Sequence, residues 1–149
     1  MKKRSKKQKL RYQAMARERI NLAGRTREDY LAGDLAGDLI TLGTGLKIYK
    51  HEEGEGKHFT KGQNVSVHYV GLLAGTGEVF DESFSNGHPF KFQLRTGQVI
   101  AGWDQGIDML RGGDRATLFV PPEMGYGKQG YPPEIPGNAE LVFYVEVME

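Results

Sequence analysis

The sequence predicts an α+β domain after residue 42, built from antiparallel strands and one short helix. Stretches such as Val65–Val70 alternate apolar and polar residues, as strands with one buried face do. Gly-rich turns such as Ala74–Gly77 lie between these stretches and are typical of hairpins. Between Val99 and Arg111 the apolar spacing changes to three and four residues, which is typical of a helix. Hairpins together with one helix give the α+β class.

The strand pattern predicts five or six strands. The candidate stretches are Leu46–Lys50, Val65–Val70, Glu78–Asp81, Phe90–Leu94, Ala116–Val120 and Leu141–Val147. A long loop from Pro121 to Glu140 separates the last two and holds five of the six prolines. Proline and glycine in this loop disfavour regular structure, so we expect no further strand there.

The predicted helix carries the only tryptophan of the chain, Trp103. Ile100, Trp103, Ile107 and Leu110 share its apolar face. Gly112 and Gly113 end it, because glycine enters the left-handed cap conformation without a Cβ penalty. Trp103 is either a core residue or the base of an apolar pocket, and the many aromatic residues at strand ends favour a pocket.

Composition excludes several kinds of chemistry. The chain has 149 residues and no cysteine, so disulfides, thiolate metal sites and a cysteine nucleophile are excluded. The four histidines lack metal-ligand spacing, and we expect no metal site and no cofactor. No serine lies in a nucleophile elbow, and Gly71–Gly77 lacks the Lys and Ser/Thr of a phosphate-binding loop. Any activity is therefore predicted to be non-covalent and metal-independent.

Charge divides the chain into a basic extension, residues 1–42, and an acidic domain, residues 43–149. Residues 1–25 carry ten Lys or Arg and one Glu, whereas residues 26–149 carry ten Lys or Arg and eighteen Asp or Glu. The block Lys2–Arg11 holds seven cations and is predicted to be disordered in isolation. It is either an arm for RNA, the ribosome or an anionic surface, or a tail that aids solubility.

The rest of the extension gives weaker signals. Gln13–Ala23 is predicted as a helix that ends at Gly24. Leu31, Leu35 and Leu39 follow at helical spacing, but intervening glycines oppose a stable helix. This segment could pack on the domain or on a second chain. No stretch reaches the roughly 18 apolar residues of a membrane span, and no secretory signal is recognisable. We therefore expect a cytoplasmic protein without a transmembrane segment.

Seven short motifs resemble those of the FK506-binding proteins, a family of peptidyl-prolyl cis-trans isomerases. They occur in the family's order and spacing between about Leu46 and Met148. The motifs are His68–Gly71, Phe80–Ser83, Pro89–Phe92, Val99–Asp104, Tyr126–Gly127, Ile135–Pro136 and Leu141–Phe143.

The resemblance implies a half-wrapped antiparallel sheet around one short helix. It also implies an aromatic pocket that holds the prolyl ring and stabilises the twisted amide of an X–Pro bond. Catalytic roles are implied for Tyr69, Asp81, Tyr126 and Phe143. Substrate-binding roles are implied for Phe80, Phe90, Val99, Ile100, Trp103, Tyr131 and Ile135.

The implied partners are proline-containing polypeptides and macrolides of the FK506 class. Three rim positions depart from the best-known members: Asn86 replaces a frequent Arg, Gln98 a frequent Glu, and Tyr131 a frequent His. These departures bear on macrolide affinity and substrate preference. A module that only binds its partner, with incidental catalysis, is the alternative to an enzyme.

Overall fold

The computed structural model describes residues 4–149, and these form two helices and one antiparallel sheet. The helices are α1 (Lys6–Ala32) and α2 (Ala101–Asp108). The strands are β1 (Leu39–Thr41), β2 (Lys47–Glu52), β3 (Asn64–Leu73), β4 (Val79–Glu82), β5 (Phe90–Gln93), β6 (Arg115–Val120) and β7 (Leu141–Val147). The α+β prediction is confirmed.

The sheet has seven strands in the order β1-β2-β6-β7-β3-β4, and β5 also pairs with β3. Six of them correspond to the predicted stretches. The seventh, β1, lies at the end of the leucine segment. The glycines there were expected to oppose a stable helix, and Leu35 and Leu39 pack against the domain, one of the two alternatives for this segment. Gly33 adopts a left-handed conformation (φ 75°) that ends α1, and Ile40 then pairs with Ile48 of β2. The glycine cap and the β2 edge override the local helical spacing.

The sheet is buried on both faces, because alternate residues of β3 and β7 point to opposite sides. One face carries Val67 and Val145 and packs against α2, with Trp103 and Ile107 in the same apolar cluster. The other face carries Leu72 and packs under α1. Every residue of β7 is buried, which fits its central position between β6 and β3.

Helix α1 is continuous over 27 residues, so the helix end predicted at Gly24 is wrong, and residues 6–11 of the basic block are helical in the folded chain. Lys2 and Lys3 lie outside the described residues. Ser5 and Gln8 form a reciprocal capping box, with both hydrogen bonds at 3.1 Å. This cap starts the helix at Lys6. Ala23 is fully buried beside Gly24. Packing of this kind outweighs a glycine cost of about 1 kcal/mol.

An ion pair fastens α1 to the sheet. The Arg19 guanidinium donates from Nε to Glu146 Oε2 at 2.5 Å, and the Tyr144 hydroxyl donates to the same oxygen at 2.7 Å. The side chains of Arg19 and Glu146 are only 18% and 10% exposed. Nearer the helix end, the ring of Tyr30 stacks on Phe119 with centroids 3.9 Å apart. Residues 12–32 are therefore an integral layer of the fold.

Replacing Arg19 with methionine should destabilise the protein strongly. The Arg19→Met variant leaves the Glu146 carboxylate, which is only 10% exposed, without its main cation. Arg115 remains as a weaker partner at 4.0 Å. Breaking such a pair costs about 3 kcal/mol, the lower end of the range for buried pairs. Urea unfolding measures the loss. Arg17→Met is the matched control, because Arg17 is exposed on the same helix and should change stability by about 0.5 kcal/mol or less. Equal effects of the two variants would contradict the stabilising role of the Arg19–Glu146 ion pair.

Candidate active site

A cavity of about 300 Å³ opens between α2, the β3–β5 part of the sheet and the loop after β6. Its wall is mostly aromatic, with one carboxylate and two phenols. The lining residues are Tyr69, Phe80, Asp81, Phe90, Gln98, Val99, Ile100, Trp103, Tyr126 and Phe143. An apolar cavity with a few convergent polar groups is the usual form of a small-ligand site.

Trp103 forms the base of the cavity and is only 5% exposed. Four aromatic rings surround its indole. Centroid distances are 5.1 Å to Tyr69, 5.4 Å to Phe143, and 5.9 Å to both Phe90 and Phe92. Three of these contacts are edge-on, a geometry that aromatic quadrupoles favour. The indole is therefore held rigidly with its apolar surface toward the opening.

Phe80 and Phe143 pack edge-on across the cavity wall with centroids 5.5 Å apart. Gly71 of β3 makes this contact sterically feasible. A Cβ at Gly71 would lie 2.6 Å from Phe80 Cζ and 3.0 Å from Phe143 Cε1. Both distances are shorter than van der Waals contact, so a larger residue would push the two rings apart. The absence of a side chain at Gly71 thus shapes the wall.

Asp81 is oriented by two donors. The Tyr69 hydroxyl donates to Asp81 Oδ2 at 2.5 Å, and the Glu82 backbone N–H donates to Asp81 Oδ1 at 2.9 Å. Burial raises the pKa of Tyr69 well above its ordinary value, and the hydrogen bond to Asp81 raises it further. The phenol therefore remains a donor at all physiological pH values, and the carboxylate stays fixed at the cavity edge.

Tyr126 brings a second phenol to the opening, from the loop after β6. Its side chain is partly exposed, and its ring contacts that of Tyr131 with centroids 5.6 Å apart. Burial raises the pKa of Tyr126, and the nearby Asp81 carboxylate raises it further. Tyr126 is thus a neutral hydroxyl able to donate to a carbonyl of a bound ligand.

Comparison with known proteins identifies the family and the fold. The sequence profile of the FKBP-type peptidyl-prolyl cis-trans isomerases matches residues 55–148, more than half of the chain. FK506-binding protein 2 of Emericella nidulans is 50% identical over 90 residues, which are 60% of this chain and 66% of that protein. Peptidyl-prolyl cis-trans isomerase FKBP15-2 of Arabidopsis thaliana is 46% identical over 112 residues, 75% of this chain and 67% of that protein. The matched region therefore spans about two thirds of both relatives.

A solved structure has the same fold. The crystal structure of AtFKBP13 superposes with a TM-score of 0.72 at 35% identity, covering 76% of this chain and 98% of that one. The chain belongs to the FKBP-type peptidyl-prolyl cis-trans isomerase family. The resemblance read from the seven motifs is confirmed, and the protein is an isomerase of this class.

Nine of the eleven residues assigned to the isomerase site from sequence lie together in the cavity. The structure does not bring Tyr131 and Ile135 into the lining. Tyr131 is 63% exposed beside Tyr126, and Ile135 is buried in the core at 3% exposure. Backbone hydrogen bonds of 2.8 and 3.0 Å pair the two with each other. Gln98 joins the lining instead, and its position directly before Val99 is the signal that could have assigned it.

The side of the isomerase cavity that carries Asp81 is braced by α1. Ser83 Oγ accepts from the Tyr69 backbone N–H at 2.8 Å, and the next residue, Phe84, stacks on His68. The Arg19 guanidinium covers the opposite side of Phe84, 5.5 Å from its centroid. The turn after β4 is therefore clamped between the sheet and α1.

Among residues 4–149, no three His, Asp or Glu side chains lie close enough to hold a metal ion. Neither helix in this range has the length and apolarity to cross a membrane.

Enlarging Gly71 should damage the isomerase without unfolding it. In Gly71→Ala the new methyl displaces Phe80 and Phe143, and we expect kcat/KM to fall about tenfold or more, because small misplacements of binding groups are costly. A peptide isomerisation assay, with circular dichroism to verify folding, measures this. Gly75→Ala is the control, since a Cβ there meets nothing within 4 Å. Full activity of Gly71→Ala would refute the role assigned to this glycine.

Alkaline pH should weaken the fold through its buried phenols. Burial first, and then hydrogen bonds to carboxylates, raise the pKa values of Tyr69 and Tyr144 in the folded state. Their contribution to the free energy of unfolding is therefore complete below about pH 10, where unfolded tyrosine is neutral. Above about pH 10, the free energy of unfolding falls by up to about 1.4 kcal/mol per pH unit for each of these tyrosines.

Urea unfolding at a series of pH values from about 8 to 11 measures this loss across the tyrosine range. The Tyr69→Phe/Tyr144→Phe variant should show a shallower decline than the wild-type chain. Parallel declines would show that these two phenols do not contribute.

Proposed function

We propose that this isomerase accelerates X–Pro isomerisation in folding polypeptides by stabilising the twisted amide in its aromatic cavity. The observation that carries the proposal is the rigid cage around Trp103 with the Tyr69–Asp81 pair at its edge. Rotation about an X–Pro bond has a barrier of about 18–20 kcal/mol, because it breaks amide resonance. No covalent bond is cleaved and no proton is lost, so the reaction needs no nucleophile. It needs a site that binds the twisted amide better than the planar one.

The aromatic base and wall would hold the prolyl ring. Trp103, Phe90 and Phe143 contact one another around the cavity and offer an apolar surface of fixed shape. Val99 and Ile100 complete this surface at the start of α2. A poorly hydrated cavity disfavours the more polar planar amide relative to the twisted one, which lowers the barrier.

Three polar groups would orient the substrate. The Ile100 backbone N–H lies at the N-terminus of α2, where helix N–H groups have no intrahelical acceptor, and it would donate to a substrate carbonyl. The neutral Tyr126 hydroxyl would donate to a second carbonyl. Asp81, held by Tyr69, would face the rotating carbonyl. The acid–phenol pair favours an enzyme over a simple binding module, which would not need it.

The same cavity would bind macrolides of the FK506 class, whose rings would occupy the place of the prolyl ring. The name of the relative from Emericella nidulans supports this. Gln98 in the lining and the exposed Tyr131 at the rim would tune macrolide affinity.

A second role concerns the basic N-terminal segment. The exposed cations of residues 6–11 support binding to an anionic partner, which would deliver the isomerase to its clients. RNA, the ribosome and an anionic surface are the candidates from sequence.

The decisive experiment measures the cis-to-trans rate of a short X–Pro peptide with the full chain, with and without an FK506-class macrolide. We expect acceleration that the macrolide abolishes. Phe143→Leu should lower kcat/KM about tenfold by loosening the cage around Trp103. Phe119→Leu is the matched control, because it makes the same change at a buried ring on the α1 face of the sheet. Macrolide binding without acceleration would identify a binding module instead.

A further inference from the structure

The exposed surface of α1 is rich in cations. Six basic residues on it are exposed, and within residues 4–149 none of them forms an ion pair: Lys6, Lys7, Lys9, Arg11, Arg17 and Arg25. Between Lys6 and Arg25 the helix has one acid, Glu18, which lies against Arg19 at 3.4 Å. We call these six residues and the surface they form the cationic face.

Helix geometry places these charges in lines. Lys7 and Arg25 are 18 residues apart, five full turns, so they lie on the same side and about 27 Å from each other. Lys6 and Arg17 are 11 residues apart, close to three turns, and form a neighbouring line. The buried side is marked by Ala16 and Ala23. Docking to the sheet therefore turns a basic sequence into a rigid rod of positive charge.

The amino-terminal end of this rod is electrostatically unfavourable in the free protein. The first turn of α1 contains no acidic residue, and Lys6, Lys7 and Lys9 crowd the positive end of the helix dipole. The six cations also repel one another. An anionic partner would relieve both costs.

The structure distinguishes among anionic partners. A helix that lies on a membrane inserts an apolar face, but the apolar side of α1 is already buried against the sheet. Leu10 is the one large apolar residue that is exposed between Lys6 and Arg25. Single-stranded nucleic acid is bound through exposed aromatic platforms. The only aromatic ring in this part of α1, Tyr12, packs against Gly87. A duplex backbone requires only spaced cations on a rigid surface.

We propose that the cationic face of α1 binds the phosphate backbone of a nucleic-acid duplex, without sequence preference. The proposal rests on the anionic-partner role inferred for the basic segment and specifies its chemistry. The cavity and α1 lie on opposite faces of the sheet, because Phe143 and Tyr144 point to opposite sides of β7. A bound duplex therefore leaves the isomerase cavity open, and the two activities are independent.

Fluorescence anisotropy with labelled duplexes of about 25 base pairs tests the proposal over about 50–200 mM salt. The full chain should bind RNA and DNA duplexes of unrelated sequence. Lys9 lies on the opposite side of the helix from Lys7, and the other five cations correspond to a log–log salt slope of about −4.5. RNA binding without DNA binding would identify A-form geometry as the feature recognised. Salt-independent binding, or no binding, would overturn the proposal.

Charge variants locate the contact. Lys6→Gln/Lys7→Gln should reduce the steepness of the slope by about 1.8 and weaken binding at low salt, because two contacts are lost. Lys57→Gln/Lys61→Gln is the matched control, since it removes two exposed charges from the domain and should leave binding unchanged. Glutamine is a helix former similar to lysine, so α1 should remain folded. Equal losses in both variants would overturn the proposal.

Two further measurements separate this proposal from the others. Vesicles of phosphatidylcholine with about 30% phosphatidylglycerol test the membrane alternative. Binding to these vesicles but not to duplexes would overturn the duplex proposal and leave the anionic-partner role intact. Peptide isomerisation should proceed at the same rate with saturating duplex. Inhibition by the duplex would contradict the independence of the two faces.

Discussion

The pairing of β3 with β7 is the contact on which both halves of the molecule depend. These strands pair in register from Val67–Val147 to Leu73–Leu141, and alternate side chains leave the pair on opposite sides. Gly71 lies opposite Phe143 in this register, which lets the ring sit over the strand and form the cavity wall. One residue further, Tyr144 points to the other face and joins the ion pair that holds α1. A slip of one residue in this pairing would exchange the two faces of the sheet. It would destroy both the cavity wall and the ion pair that holds α1.

The cavity derives its properties from rigidity and dryness. The rings around Trp103 fix one another, and the Tyr69–Asp81 pair is held by a backbone donor and by the clamped turn after β4. Catalysis of a rotation requires no reactive side chain, so the residues contribute shape, low polarity and a few fixed dipoles.

Helix α1 shows how packing can override a weak local signal. Its sequence has no clean apolar stripe, because the side that packs on the sheet combines alanines and a paired arginine with a few larger apolar residues such as Ile20 and Tyr30. Ala16 and Ala23 allow close approach, and Arg19 joins Glu146. Once docked, the helix has a single free side, and that side collects the unpaired cations. The charge asymmetry of the sequence thus becomes a geometric property of one surface.

The sequence by itself determined the six longer strands, the short helix at Trp103 and, through seven motifs, the family and nine of the ten residues that line the cavity. These signals are local, because alternation and glycine positions act within a few residues. Only the tertiary structure decided that α1 continues through Gly24 and that Leu39–Thr41 forms a strand. In both cases packing and strand pairing supply a free energy that outweighs the local preference.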